Sequence, residues 1–301
     1  ELLNTVVIAR STPLVKLKVV KTLKRQKEVV AVTGDGINDA PAIKQADVGI
    51  VMGKTGSDIT KEAADVLLLD DSFSTLVKAI KFGRCVYKNL QRFIIFQISV
   101  NVSALLVVTI CAIIGVNAPF STLQMLWINL IMDGPPALTL GLISPDNNLM
   151  QDRPVKREES IITYKMLCKI LFNGIFSGIV VLMQVFFNFL GALDSEKSNA
   201  VFTLFIIFQL FNAFNCVELG SKSIFKNLGK NKVMLLTFIT VFLLQIVITS
   251  LSGGLRFYVW LKILVSASSI VLLSEGYKFL YRILSNKKSL RLSINKNKIG
   301  A

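Results

Sequence analysis

The sequence predicts a small parallel α/β domain at residues 1–75 that leads, through a stalk helix, into an all-α six-span transmembrane helical bundle. Hydrophobic residues make up 52% of the 301 residues, the mean hydropathy is +0.60, and long uncharged stretches begin after residue 92. The formal charge is +15, from 34 Lys and Arg against 19 Asp and Glu. A soluble nucleic-acid-binding protein is not this apolar, so no nucleic-acid partner is expected, whereas basic loops beside a membrane account for both properties.

The α/β prediction rests on alternating strand and helix patterns. Residues 28–33, 48–52 and 66–69 have the short apolar runs of strands, and residues 16–26 and 38–46 have helical patterns. This alternation is typical of a parallel sheet, whose ligand sites lie at the carboxyl ends of the strands.

Residues 76–92 are predicted to form a cytoplasmic stalk helix that continues into the first span. Residues 74–114 contain no proline, and Gly83 is their one glycine. A helix of about 40 residues would be roughly 60 Å long.

Six spans are predicted within residues 93–285. The stretches 93–114, 170–193, 200–217 and 233–255 are uncharged, and each is near the roughly 20 residues that a bilayer core requires. Residues 120–142 carry Asp133 as their one charged residue, and the sixth candidate, 257–281, contains Lys262 and Glu275.

The distribution of basic residues predicts the orientation. Lys and Arg are abundant in the loops 143–169 and 218–232 and in a basic tail at residues 286–301, whereas the opposite side has Lys197, Arg256 and Lys262. Because Lys and Arg are retained on the cytoplasmic side, the α/β domain, these loops and the tail are predicted to be cytoplasmic.

Histidine is absent, which excludes His-based triads, zinc sites and proton relays. The four cysteines are widely spaced and form no CxxC pair, so they are interpreted as small buried hydrophobic residues rather than as a disulfide framework.

The most informative motif is TGDGINDAP at residues 33–41. Its two glycines allow a tight turn and a close approach to an anion. Asp35 and Asp39 offer the hard oxygen ligands that Mg²⁺ prefers, and Asn38 offers a neutral amide.

This string resembles the hinge motif of the P-type cation-transporting ATPases, whose phosphorylation domain is of the haloacid-dehalogenase-like α/β class. The resemblance extends to ARSTP at residues 9–13 with the following Lys16, to ADVGI at 46–50 and to DDSF at 70–73. It therefore implies that residues 1–75 are the C-terminal part of a cytoplasmic phosphorylation domain.

The resemblance also implies roles for individual residues. Asp35 would bind Mg²⁺ with support from Asp39, Asn38 would lie close to the phosphate, and Arg10 and Lys16 would contribute to phosphate binding. Lys16 would stabilise the charge of the transferred phosphoryl group, as phosphoryl transfer requires. A solvated basic helix face is the alternative for Lys16, since three more lysines lie nearby.

Several parts of the family do not occur in these 301 residues. The Asp-Lys-Thr-Gly-Thr phosphorylation motif, the Thr-Gly-Glu loop and a nucleotide-binding domain are absent. The resemblance thus implies a C-terminal portion that depends on the remaining N-terminal part of the pump for ATP binding. By itself it is predicted not to hydrolyse ATP.

A cation site is predicted in the second span. Asn129 and Asp133 are spaced i, i+4, which would put both on one face of an α-helix, and Gly134-Pro135-Pro136 would free backbone carbonyls at the depth of the membrane. Ionisable residues inside a membrane are functional candidates, and a set of oxygens with one carboxylate suits Ca²⁺.

The transported ion follows from the resemblance to calcium pumps. WINLIMD at residues 127–133 is similar to their ion-binding sixth span, and Asn101 matches an asparagine of the preceding span. Ala104 and Gln209 stand where the two-site reticulum-type pumps carry Glu, which implies one Ca²⁺ site as in the plasma-membrane-type pumps. An amide that hydrogen-bonds a neighbouring helix is the alternative for Asn101 and Gln209.

Three questions stay open from the sequence. Gly-Pro-Pro after Asp133 is closer to the secretory-pathway Ca²⁺/Mn²⁺ pumps, so a plasma membrane and an internal (vacuolar or secretory) membrane are both compatible. The basic tail is interpreted as an anchor to anionic lipid or as a calmodulin target. A truncated, inactive membrane protein that regulates a partner pump is the alternative from a different class.

Overall fold

The computed structural model describes residues 5–220, 223–224 and 231–299, with side chains of the last helix as far as Ile283. The chain divides into two compact units. The first consists of Glu1–Cys85 and Pro145–Ile161, and the second of Val86–Ser144 and Ile162–Ala301.

The first unit contains a three-stranded parallel sheet. Its strands are β1 (Ala31–Gly34), β2 (Val48–Met52) and β3 (Val66–Leu68), in the order β1-β2-β3, with Ala31 opposite Val48 and Ile50 opposite Val66. Helices α1 (Pro13–Arg25), α2 (Ala40–Gln45) and α3 (Asp58–Ala63) accompany the sheet. The alternation predicted from the sequence is confirmed.

The first strand begins three residues later than its apolar run predicts. Lys27 has a φ of 67°, and the amide of Glu28 donates to the carbonyl of Leu23, so residues 26–29 form the turn that ends α1. The amide of Val30 is bound by the carboxylate of Asp47. These bonds use the backbone groups that a longer strand would need.

Charged side chains connect the segment 145–161 to the rest of the first unit. Arg84 donates to the carbonyls of Leu149, Met150 and Asp152, at 3.3, 3.4 and 2.9 Å. Arg157 is ion-paired with Asp47, and Lys27 contacts Glu158 at 2.5 Å. The segment contains one 3₁₀ turn, Asn147–Gln151.

The second unit is helical. It begins within α4 (Phe73–Ile114), whose residues up to Cys85 belong to the first unit. Helix α4 is followed by α5 (Thr122–Trp127), a π-helical turn at Ile128–Asp133 and α6 (Gly134–Gly141). Then come α7 (Tyr164–Phe187), α8 (Lys197–Val217), α9 (Lys232–Leu251) and α10 (Phe257–Ile299). Within the described residues, α4, α7, α8, α9 and the part Phe257–Leu280 of α10 are long and apolar enough to cross a membrane.

The remaining predicted span, residues 120–142, consists of α5, the π-helical turn and α6 in succession. The predicted fold class, an α/β domain followed by a transmembrane helical bundle, is confirmed. The basic tail predicted at residues 286–301 is helical as far as Ile299, and its side chains lie outside the described part of the structure.

Helix α8 is surrounded by protein. Its large side chains Phe205, Phe208 and Ile206 are fully buried, in contrast to the many exposed apolar residues of α9. A helix that is apolar all round is stable where protein covers every face, so α8 lies at the centre of the second unit.

Candidate functional site

The TGDGINDAP motif lies where β1 ends and α2 begins. Asp35 follows the last residue of β1, residues Ile37–Asp39 form a 3₁₀ turn, and α2 starts at Ala40 with a proline in its first turn. The side chains of Asp35 and Asn38 are exposed. The motif therefore occupies the carboxyl edge of the sheet, as predicted.

Lys16 on α1 and Asp39 are in direct contact. Lys16 Nζ lies 2.5 Å from Oδ1 of Asp39, with side-chain exposures of 40% and 13%. Val20 of α1 and Ala42 of α2 belong to one buried cluster, and this packing holds the two helices together. The structure thus brings Lys16 to the motif rather than leaving it on a solvated helix face.

Gly34 is required by the close approach of Asp39. A Cβ atom at position 34 would lie 2.6 Å from Cβ of Asp39, closer than side chains pack. Gly36 differs, because its φ of −96° is ordinary and a Cβ there would meet nothing within 4 Å. Of the two glycines predicted to be needed for the turn, only Gly34 is sterically constrained.

Two hydrogen bonds from residues at the start of α3 fix the backbone of Asp35. Its carbonyl accepts the amide of Ser57 at 3.1 Å and the hydroxyl of Thr60 at 3.5 Å, and Thr60 is fully buried. Ser57 is also the N-cap of α3. Sequence reasoning missed both residues, although a Ser before a short helix is a capping signal.

The side chains at the motif could bind Mg²⁺ through one carboxylate. No cluster of three or more Asp, Glu or Cys side chains forms among the residues that the structure describes. Mg²⁺ is usually bound by one or two carboxylates, with water and substrate phosphate completing its shell. Asp35, with an exposed carboxylate, suits that mode, whereas one oxygen of Asp39 is engaged by Lys16.

Arg10 and Asn38 stay predictions as phosphate ligands. Arg10 lies in the exposed segment before α1 and has a φ of 52°, and Asn38 is on the exposed side of the 3₁₀ turn.

The second candidate site surrounds Asp133. The residue ends the π-helical turn and is only 3% exposed. Its Oδ2 accepts a hydrogen bond from Nε2 of Gln97 at 3.3 Å, and its Oδ1 is buried without a hydrogen-bond partner among the residues that the structure describes. An unpaired buried carboxylate oxygen is costly unless something positive binds it.

The π-helical turn has a cause in the sequence. Pro135 and Pro136 follow at once, and proline has no N–H to donate to the preceding turn. Single π-helical turns are rare and occur frequently at functional sites. Local widening here separates Asp133, which is buried, from Asn129, which is exposed, and so departs from the shared α-helical face predicted for them.

Comparison with known proteins identifies the family. The profile of the family described as "Cation transporting ATPase, C-terminus" matches residues 117–280, and that of "haloacid dehalogenase-like hydrolase" matches residues 16–80. The chain belongs to the cation-transporting ATPases. The predicted resemblance is confirmed.

Among the relatives of this ATPase chain is an Arabidopsis thaliana protein named "Putative calcium-transporting ATPase 13, plasma membrane-type", 41% identical over 80% of the chain. "Calcium-transporting ATPase 7, plasma membrane-type" of Oryza sativa is 40% identical over 82%. "Calcium-transporting ATPase 1" of Schizosaccharomyces pombe is 42% identical over 74%. The chain spans about a quarter of the length of these relatives, 24%, 24% and 25%.

The other predicted cation ligands of the ATPase chain have different environments. Asn101 on α4 is exposed. Gln209 on α8 is fully buried and donates to Ser177 Oγ at 3.2 Å, while its oxygen accepts from Asn212 at 3.2 Å. The amide of Gln209 therefore bridges helices, which is the alternative that the sequence left open for it.

Sequence reasoning missed Gln97. It precedes Asn101 by four residues, so both lie on the same face of α4. That spacing was the signal that could have found it.

Proposed function

We propose that this chain is part of an ATP-driven pump that moves Ca²⁺ across a membrane through an aspartyl-phosphate cycle. The observation that carries the proposal is Asp133, a buried carboxylate with one unpartnered oxygen, in a membrane segment of a cation-transporting ATPase. Ca²⁺ takes oxygen ligands, which include carboxylates, amide and backbone carbonyls, and water. The names of the relatives, all calcium-transporting ATPases, support the choice of ion.

One bound Ca²⁺ is proposed. Asp133 would supply the carboxylate. Asn101 and Asn129 are retained as neutral oxygen ligands on the family resemblance alone, because both are exposed and the π-helical turn separates Asn129 from Asp133. Gln209 is the weakest candidate, because both groups of its amide are already hydrogen-bonded. Ala104 offers no ligand, which favours one bound ion over two.

The motif at residues 33–41 would serve the phosphoryl-transfer step. Asp35 would hold Mg²⁺, which when bound neutralises charge on the phosphoryl oxygens. Lys16 would approach the same oxygens from α1, with Asp39 fixing its ammonium, and Asn38 and Arg10 would bind phosphate. ATP and the phosphorylated Asp would come from the N-terminal part of the same pump.

Helix α4 is the proposed link between the two sites. Asn89 donates to the carbonyls of Gly141 and Ile143, at 2.8 and 2.9 Å, and Gln97 donates to Asp133. Helix α4 thus holds the Asp133-bearing segment at two levels. At the start of α4, Asp70 accepts hydrogen bonds from Ser72 and Thr75. Because α4 also contacts the Asp133-bearing segment, a tilt of α4 would move the ligands of the cation.

The proposed orientation keeps the phosphorylation domain and the C-terminal tail in the cytoplasm. The protein is an integral membrane protein by its apolar helices and family, and the plasma membrane or an internal membrane is its proposed location. Anionic lipid or calmodulin is proposed to contact the tail.

The test is Asp133→Asn in the full-length protein, with Ca²⁺-dependent phosphorylation from ATP as the readout. We expect the variant to lose this dependence, because the amide removes the charge that compensates the cation. Asp194→Asn, at an exposed carboxylate, is the matched control and should behave as the parent. Unchanged Ca²⁺ activation in Asp133→Asn would refute the proposal.

A secretory-pathway Ca²⁺/Mn²⁺ pump is the second candidate, favoured by Gly-Pro-Pro after Asp133. Competition between Mn²⁺ and Ca²⁺ for activation of phosphorylation distinguishes the two. A truncated regulator of a partner pump would instead lack a phosphorylatable Asp in the upstream coding sequence, so that sequence decides this alternative. The isolated 301 residues should form no acid-stable phosphoenzyme from ATP.

A further inference from the structure

The carboxylate of Asp133 is held by an uncharged partner. Gln97 Nε2 donates to Oδ2 at 3.3 Å, while Oδ1 is buried and unpaired. Other shielded carboxylates of the chain contact a cation: Asp39 contacts Lys16, Asp47 contacts Arg157, and Glu196 contacts Arg256. Within the described part of the chain, Asp133 is therefore oriented by a hydrogen bond and contacts no cationic side chain.

The surroundings of Asp133 are poor in charge. The charged residues of α4 lie between Lys78 and Arg92, ahead of Gln97 in the chain, and the charged residue of α8 is Lys197 at its first position. Helices α5 and α6 carry none. Gln97 is thus the side chain that the structure shows bound to this carboxylate.

We propose that Gln97 is a positioning residue of the cation site. By donating to Oδ2, it fixes the rotation of the carboxylate and leaves Oδ1 available to the transported ion. A Lys or Arg in its place would compete with the cation for the carboxylate, whereas a neutral N–H orients it without competition. The inference rests on the proposed function of Asp133 as a Ca²⁺ ligand.

Removal of a residue that hydrogen-bonds to a metal ligand typically lowers metal affinity about 10- to 100-fold. Gln97→Met retains an unbranched side chain of similar length but cannot donate. We expect the Ca²⁺ concentration for half-maximal phosphorylation to rise about 10- to 100-fold in the full-length protein. The phosphoenzyme level at saturating Ca²⁺ should equal that of the parent.

Gln245→Leu is the matched control. Gln245 is a buried amide of α9 that bonds to Trp127, Thr203 and Thr249. Its loss should lower the yield or the maximal phosphoenzyme level and leave the half-maximal Ca²⁺ concentration unchanged. Gln97→Leu is the second variant if Gln97→Met is poorly produced.

Asp133→Asn, measured in parallel, separates the two proposals. If Asp133→Asn abolishes Ca²⁺ activation while the Gln97 variants stay within about twofold of the parent, the positioning role of Gln97 is wrong and the cation site stands. If the Gln97 and Gln245 variants shift the half-maximal concentration equally, Gln97 has only a structural role. If Asp133→Asn retains Ca²⁺ activation, the proposed function itself fails.

Discussion

The ammonium group of Lys16 lies 2.5 Å from the carboxylate of Asp39, although 23 positions separate them in the chain. The contact exists because α1 and α2 share the buried cluster around Val20 and Ala42. This contact fixes the position of the Lys16 ammonium group beside the TGDGINDAP motif.

The first prediction concerns Lys16. Lys16→Met should lower the rate of phosphoenzyme formation by at least about tenfold in the full-length protein, because charge stabilisation is the main contribution to phosphoryl transfer. Stability should change by less than about 1 kcal/mol, since Lys16 is 40% exposed and exposed ion pairs contribute little. Rapid-quench phosphorylation and thermal inactivation measure the two quantities.

Lys18→Met is the control for Lys16, since Lys18 is an exposed lysine of the same helix. It should leave the rate unchanged. Equal losses in both variants would show that α1 contributes only general positive charge.

The second prediction concerns Asp47 and the segment 145–161. The hydrogen bond from the Arg157 guanidinium, aided by the Val30 amide and by Lys24, lowers the pKa of Asp47 to about 2. Because the pKa is below its ordinary value of 3.8, the ion pair stabilises the segment fully above about pH 4. This contribution is lost as the pH falls from about 4 towards 2.

Asp47→Asn tests this contact at neutral pH. A partly exposed ion pair contributes about 0.5–1 kcal/mol, so trypsin should cleave at Arg153 to Arg157 about two- to fivefold faster, in proportion to the open population. Asp58→Asn, at an exposed carboxylate, should not change the cleavage rate. Unaltered cleavage in Asp47→Asn would mean that Arg84 and Lys27 hold the segment without the help of Asp47.

The third prediction concerns the packing of α7 against α4. A Cβ at Gly174 would lie 2.8 Å from Cβ of Val102 and 2.9 Å from the carbonyl of Ser99. Neither atom is at the end of a flexible side chain, so Gly174→Ala should destabilise the bundle by about 1–3 kcal/mol. Thermal inactivation in detergent measures the change.

Gly178→Ala is the matched control on the next turn of α7. Its Cβ would meet the terminal methyl of Leu106 at 2.9 Å, and that side chain can move aside. Its cost should therefore be clearly smaller. The packing argument would be wrong if the two substitutions had equal effects.

The fourth prediction concerns α4 as the link between phosphorylation and transport. Insertion of a flexible glycine segment after Gly83 should leave Ca²⁺-dependent ATP hydrolysis measurable and abolish Ca²⁺ uptake into vesicles. The same insertion at Gly253-Gly254, a turn with φ of 108° and 74°, is the control and should retain coupling. Coupled transport with the insertion at Gly83 would exclude α4 as the link.

Much of the molecule could be predicted because the relevant patterns are local. β2 was predicted at 48–52 and is found at Val48–Met52, since a buried parallel strand is a short apolar run. The long helix was predicted at 74–114 and found at Phe73–Ile114, since proline is absent there. Predicted ends were wrong where a side chain from elsewhere intervenes, as Asp47 does at the amide of Val30.

The proposed cation site shows the limit of local patterns. Asp133 stands out as an acid inside an apolar segment, and no tertiary information was needed to select it. The contacts of Gln97 and Gln209 were not predictable, because an amide inside a bundle bonds to whichever helix lies opposite. The sequence left both readings of Gln209 open, and the structure adds that its amide is hydrogen-bonded to Ser177 and Asn212.

The sequence by itself determined the α/β domain, the membrane helices, the family and the residues whose chemistry is unusual for their surroundings. These features depend on composition and on spacings of a few residues, which local backbone geometry and hydrophobicity fix. Only the tertiary structure decided that Lys16 meets Asp39, that Gln97 holds Asp133 and that one oxygen of Asp133 stays unpaired. Such contacts join distant parts of the chain, and their geometry depends on how whole helices pack.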